Sequence, residues 1–190
     1  MLHFRYLLQY NQLRLQLTSI KIPNSVTSIG YEAYRSCSSL TSITIPDSVT
    51  SIGNEAFAYC SSLTSVIIGN SVASIGVTLF SFCDNIQFNI YDNGKYLASQ
   101  ENPYFALIEV VKGVSTITIH NETKIIAAQA FAWSLVNTVE ISDSVTFVGS
   151  GAFTQCSSLT IYCEVESQPS GWDVGWNYDN RPVIWCYVEQ

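Results

Sequence analysis

Apolar positions recur along this chain at one long period rather than at helical or simple strand spacing. Ile22, Ile45 and Ile68 stand 23 residues apart, and the same interval separates Gly30, Gly53 and Gly76, Tyr34, Phe57 and Phe80, Cys37, Cys60 and Cys83, and Leu40, Leu63 and Ile86. The pattern resumes with Ile119, Ile126, Ala130, Phe131 and Val136, then Ile141, Val145, Val148, Gly149, Ala152, Phe153, Cys156 and Leu159. A unit this short cannot bury its own apolar face. Copies must therefore stack and share a core.

One unit is read in four pieces. Leu40-Thr-Ser-Ile43-Thr-Ile45 has the LxxLxL form of a leucine-rich-repeat strand, with its apolar positions inward and the Thr and Ser between them outward. Pro46-Asp47-Ser48 marks a turn. Val49 to Gly53 reads as a short extended return, ended by a glycine where an unusual dihedral is expected. Asn54 to Cys60 suits about one helical turn, with Asn54 as its cap and Ala56, Phe57 and Cys60 inward. The expected fold is an α/β leucine-rich-repeat solenoid, strand-dominated with short helical turns, of about five coils of 22–23 residues, with a β-hairpin insert and a C-terminal cap.

The sequence divides accordingly within a single expected domain, 1–190. Residues 1–16 do not repeat; Phe4, Tyr6, Leu7, Leu8 and Tyr10 are available to cover the open end of the first coil, or are the remnant of a longer chain. Repeats run over 17–90. The insert, 91–113, carries Asp92-Asn93-Gly94 between Phe88, Ile90 and Tyr96, Leu97, a hairpin signal, then a strand-like Tyr104 to Val111. Insertions of this kind fall on one face of a solenoid, often the binding face; a plain spacer is the alternative. Repeats return over 114–163; the first coil there is one residue short, so that the cysteine position is lost and Trp133 stands at the Tyr59 position. Residues 164–190, with Trp172, Trp176 and Trp185, no longer repeat and are expected to fold over the end of the stack, or to form a sugar-stacking platform.

Charge and composition narrow the function classes. Charged residues make up only 12% of the chain against 47% apolar, and the net charge is −7 with 8 Lys and Arg, so no basic surface for nucleic acid or anionic lipid is expected. Apolar runs are far shorter than the roughly 20 residues of a membrane helix, and the first fifteen residues lack the apolar core of a secretory signal, so no membrane insertion is expected.

Candidate chemistry is sparse. Cys37, Cys60 and Cys83 form a ladder of small buried hydrophobes, whereas Cys163 and Cys186 bracket the last segment and are candidates for a disulfide if the protein is exported. With only His3 and His120 and no CxxC spacing, no metal and no cofactor is expected. No phosphate loop or EF-hand loop occurs, and the serines have turn roles, so no enzyme is expected. Asn121-Glu122-Thr123 is a formal glycosylation sequon.

The phrases IPDSVTSIGNEAFAYCSSLTSV and IGYEAYRSCSSLTSITIP resemble the BspA-type leucine-rich repeats, and the insert YDNGKYLASQENPYFALIEV and the tail IYCEVESQPSGWDVGWNYDNRPVIW resemble segments that accompany those repeats in surface proteins of gut and oral bacteria. The resemblance covers about residues 17–186 and implies a bacterial cell-surface or secreted protein. It also implies adhesion to host matrix proteins such as fibronectin and fibrinogen, coaggregation, or host-receptor engagement. The chain itself shows neither a signal peptide nor a wall anchor.

A binding role places the ligand on the outward strand ladder: Ser42 and Thr44, Ser65 and Ile67, Gln87 and Asn89, Thr116 and Thr118, Thr138 and Glu140, Thr160 and Tyr162. Ile67 and Tyr162 are its bulky anchors, and a ladder so poor in aromatic and Arg residues implies modest affinity per copy. Hydroxyls also suit any exposed strand. The reading is thus a non-catalytic protein–protein interaction module, monomeric, with a protein ligand. The alternatives are a structural spacer in a larger surface protein, or a glycan-binding or hydrolysing protein.

Overall fold

The computed structural model describes residues 14–188; the aromatic residues proposed to cover the first coil, Phe4 to Tyr10, lie outside that range. The chain divides into two compact units, Met1–Phe88 with Ala98–Glu101, and Asn89–Leu97 with Asn102–Gln190.

In the first unit each coil contributes a strand to two parallel ladders. On one side β2 (Ser42–Thr44) pairs with β4 (Ser65–Ile68), Ser42 opposite Ser65 and Thr44 opposite Ile67. Ala98 and Ser99, the end of β7 (Gly94–Ser99), continue this ladder beside Ile67 and Ile68. On the return side β1 (Ser28–Ile29), β3 (Ser51–Ile52) and β5 (Ser74–Ile75) form a three-stranded sheet. Each two-residue strand is too short to persist alone, so the stack supplies its partners. Between the ladders Ile43, Ile45, Val49, Ile52, Phe57, Leu63, Val66 and Ile68 are buried. Tyr34, Phe57 and Phe80 stack with ring centroids 5.2 and 5.9 Å apart and interplanar angles of 9° and 16°.

The expected helical turn is replaced by something else. Residues 54–59 form turns, with Glu55 (φ 54°) and Tyr59 (φ 62°) in the left-handed region. Glu32 and Ser36, and Thr78 and Phe82, repeat this pair. The amides of Glu55, Phe57 and Tyr59 donate to the carbonyls of Val77, Leu79 and Ser81 in the next coil. A helical turn would direct its amides along its own axis, at the cost of nucleation. Alternating the backbone instead turns every second amide sideways, so the coils bond to each other. Asn54 does not cap its own segment; its Oδ1 accepts from the Val77 amide, 3.0 Å away in the next coil.

Gly53 also differs from expectation. Its φ is not in the left-handed region; a Cβ there would lie 2.7 Å from the Tyr31 amide nitrogen and 2.8 Å from the Gly30 carbonyl carbon. Glycine is needed for close approach of coils rather than for a dihedral.

The second unit opens with the predicted hairpin: β6 (Asn89–Tyr91) and β7 pair antiparallel, Tyr91 opposite Gly94, around Asp92 at φ 47°. β8 (Ala106–Val110) pairs antiparallel with β7 and parallel with β9 (Ile125–Ile126), which pairs with β11 (Phe147–Val148). The insert thus hands the chain back to a parallel ladder. A separate sheet runs β10 (Thr138–Ile141), β12 (Thr160–Cys163), β13 (Val183–Ile184).

Two further expectations are corrected here. The cysteine position of the shortened coil is not lost: Ser134 fills it, buried, with its Oγ 3.4 Å from Cys156 Sγ. The tail ceases to repeat in sequence, yet its backbone continues the coil. β13 pairs parallel with β12, the Asp173 amide donates to Val148, and the Gly151 amide donates to Gly175. Trp172 and Trp176 are buried, Trp176 edge-on to Phe153 at 5.8 Å, and Trp172 Nε1 donates to the Val145 carbonyl at 3.2 Å.

Candidate functional site

The strand face begins with backbone alternation. Side chains of successive strand residues point to opposite sides, so burying Ile43, Val66, Val139 and Ile161 forces Ser42, Thr44, Ser65, Thr138 and Glu140 outward. The first unit brings together Ser42 with Ser65 and Thr44 with Ile67. The second brings together Thr138 with Thr160 and Glu140 with Tyr162. Ile67 and Tyr162 are half-buried, the former flanked by Thr44 and Ala98, the latter packed on Tyr187 at 4.9 Å. Thr116 and Thr118 are exposed but lie in no regular strand. Instead Asp92 Oδ2 accepts from the Thr118 amide at 2.6 Å and Asn93 Nδ2 donates to the Thr116 carbonyl at 3.0 Å. The hairpin turn's side chains stand in for a neighbouring strand.

Near Thr118 the face of the second unit is not flat. A concavity of about 570 Å³ is bounded by residues 117–121, by Thr138, Glu140 and Ser142, and by Tyr91 and Glu164. The Asn137 amide donates to the Ser115 carbonyl at 3.1 Å. Past that bond the two segments part, and β10 is the edge strand of its sheet. Tyr91 stands edge-on to His120 at 4.7 Å, and His120 stacks on Tyr104 at 4.1 Å. Behind them Tyr96 is buried; burial pushes its phenol up to about 12, and its hydroxyl oxygen accepts from the His120 amide at 3.2 Å. Among the described residues no lysine or arginine lines the concavity.

A second exposed feature is the turn edge of the first unit. Tyr59 and Phe82 stack at 4.5 Å on the outside, and the Arg35 guanidinium lies 4.6 Å over Tyr59, where it also pairs with Glu55. Aromatic rings at left-handed positions are sterically unfavourable. The signal was present in sequence, since Tyr59 and Phe82 recur at the repeat interval, but the expected helical turn concealed their exposure.

The cysteines are more than filler. Cys60, Cys83 and Cys156 each donate Sγ–H to a carbonyl of the preceding coil, at 3.2 Å to Tyr34, 3.0 Å to Phe57 and 3.0 Å to Phe131. The Cys37 and Cys83 sulfurs beside Cys60, followed by burial, push its thiol far above the ordinary range, and burial takes Cys163 to about 12. Cys163 and Cys186, the pair considered for a disulfide, are both free in this structure. Cys163 is buried and Cys186 exposed, and it is the Tyr187 amide that reaches the Cys163 carbonyl, at 2.9 Å. Among the described residues no cluster of His, Cys, Asp and Glu could hold a metal ion, and no helix is long and apolar enough to cross a membrane.

Coils that, within each unit, give a strand to one ladder, return on a second and stack around a buried core define a leucine-rich-repeat protein. The chain belongs to the BspA type leucine rich repeat family, six copies of which match residues 10–106 and 109–168, one more than the coil count read from sequence. It is similar to a leucine rich cell surface protein from Faecalibacterium prausnitzii (26% identity over 81% of this chain and 33% of that one, TM-score 0.41). It is also similar to the leucine rich repeat protein of T. pallidum (21%, 76% and 55%, TM-score 0.40) and to one from Bacteroides ovatus (24%, 77% and 43%, TM-score 0.40). The chain thus spans between a third and just over half of these proteins, and TM-scores below 0.5 carry over no site. No curated protein matches.

Proposed function

We propose that this chain is a non-catalytic protein–protein interaction module of a cell-surface or secreted protein, monomeric, that adheres to host matrix proteins or to other cells. One observation carries the reading. The hydroxyls of Thr41, Thr50, Thr64 and Thr146 are tied to carbonyls of the preceding coil. Those of Ser42, Thr44, Ser65, Thr116, Thr118 and Thr138 are exposed and make no intramolecular hydrogen bond among the described residues. Exposed hydroxyls with a structural duty would resemble the first set. The second set is left for water or a ligand, on a backbone already satisfied by the ladder.

Biolayer interferometry against immobilised fibronectin and fibrinogen tests this, beside a variant carrying T44E, T118E and T138E. Binding by the parent and its loss in the variant are expected. No binding by the folded parent at about 50 μM, the weak end of specific recognition, overturns the matrix-adhesion reading and favours a spacer.

A further inference from the structure

The concavity of the second unit suggests what kind of segment it takes, and this rests on the interaction reading above. Three features coincide there. First, β10 is an edge strand, and its ladder toward residues 115–121 stops after the Asn137 to Ser115 bond. An unsatisfied strand edge is the template for adding an extended chain by backbone pairing. Second, the opening beside that edge has a volume of about 570 Å³, with Tyr91 as an exposed aromatic wall held by His120. Third, among the described residues its ionisable lining side chains other than His120 and Tyr91 are carboxylates, Glu140 and Glu164, with no lysine or arginine beside them. Among the described residues Glu140 makes no ion pair, and Glu164 is engaged only by the Asp143 amide at 3.0 Å. Asp92, at the neighbouring turn, is spent on the Thr118 amide.

We propose that this groove binds an extended, basic peptide segment of a partner protein. The segment's backbone pairs with the free edge of β10, and a Lys or Arg side chain lies against Tyr91 and reaches Glu140 and Glu164. Open backbone donors and acceptors select an extended chain, the aromatic wall selects a cation or an apolar stem, and the two carboxylates select positive charge. A groove built for an acidic segment or for nucleic acid would carry the opposite sign.

The test is fluorescence anisotropy of the whole chain with a labelled Lys-Val octapeptide of alternating sequence, and with its Glu-Val counterpart. The proteins compared are the parent, the groove variant E140Q/E164Q and the charge-matched control E122Q/E166Q. Gln at 164 retains an oxygen for the Asp143 amide, and circular dichroism checks the fold. The Lys-Val peptide is expected to bind the parent and the control alike. E140Q/E164Q should weaken binding by about tenfold or more, as expected for loss of a carboxylate pair at a strand edge. Equal binding by both peptides, no binding by either, or equal loss in the groove variant and the charge-matched control overturns the proposal. So does displacement of the bound peptide by a neutral oligosaccharide, which would make the groove a glycan site. Matrix-protein binding that persists while the peptide assay fails leaves the interaction reading standing and removes only the groove.

Discussion

The two units solve the same stacking problem with different precision. In the first the interval is a uniform 23 residues, and its aromatic rings lie nearly parallel, at 9° and 16°. Its strand face is continuous from the Ser19–Ser42 bridge through β2, β4 and Ala98. In the second, Phe131 and Phe153 are 22 apart and tilted by 39°, Trp176 meets Phe153 at 84°, and the strand face opens into a groove. Identical repeats let identical side chains stack in register. A deletion and an insert oblige the rings to tilt and the ladder to part, and the parted ladder is where a binding geometry arises. The core is conserved in kind; the face is not.

That comparison is broken or sharpened by substitution, starting with the core. Phe57→Ala and Phe153→Ala each remove a fully covered ring between two aromatic neighbours and are expected to cost about 3–5 kcal/mol in urea denaturation. If the two costs differ severalfold, the cores are not equivalent. Next come the glycines. Gly53→Ala and Gly149→Ala place a Cβ against the backbone of the adjacent coil in the first and second unit respectively, at a cost of about 1–3 kcal/mol. At the same repeat position Gly30 has no atom of the described residues within 4 Å of its would-be Cβ, so Gly30→Ala is expected to be near neutral. A penalty there equal to that at Gly53 would restore the dihedral explanation.

The thiols follow. Cys60→Ala removes the thiol donor from the Tyr34 carbonyl, which keeps the Cys37 amide at 3.2 Å, and is expected to cost about 1 kcal/mol. Ellman's reagent should find one reactive thiol, Cys186, in the folded chain and six after denaturation. A second fast thiol would mean that one of the ladders opens readily. The smallest effect is electrostatic. The Gln155 amide, at 2.7 Å, and then Arg181 hold the Asp179 carboxyl below its usual range. A depressed folded-state value stabilises the protein above the unfolded value and loses that stabilisation as pH falls through the folded one. Stability of the parent and Asp179→Asn should therefore diverge slightly at neutral pH and converge in acid, measured by thermal melts across pH.

Much of this was legible in the chain. The interval of Ile22, Ile45 and Ile68 dictated stacking, the LxxLxL phase of Leu40 to Ile45 dictated which residues turn inward, and Asp92-Asn93-Gly94 dictated the hairpin. All three are local statements, in which side-chain polarity and backbone preference along a few residues suffice. The turn at 54–59, the continuing coil at 169–186 and the role of the cysteines were not legible, because each depends on the adjacent coil. Glu55 and Tyr59 adopt left-handed backbone so that amides reach Val77 and Ser81, and no propensity within the segment announces a partner more than twenty residues away.

The candidate site divides along the same line. Outward placement of Ser42, Thr44, Thr138 and Glu140 follows from strand alternation and was fixed by the sequence pattern. The meeting of Tyr91, Thr118, Glu140 and Glu164 around one opening was decided only by tertiary structure. Alternation assigns each residue a side. Whether neighbouring strands on that side stay bonded or part is set by the length of chain spent between them, through contacts that exist only once the coils are stacked.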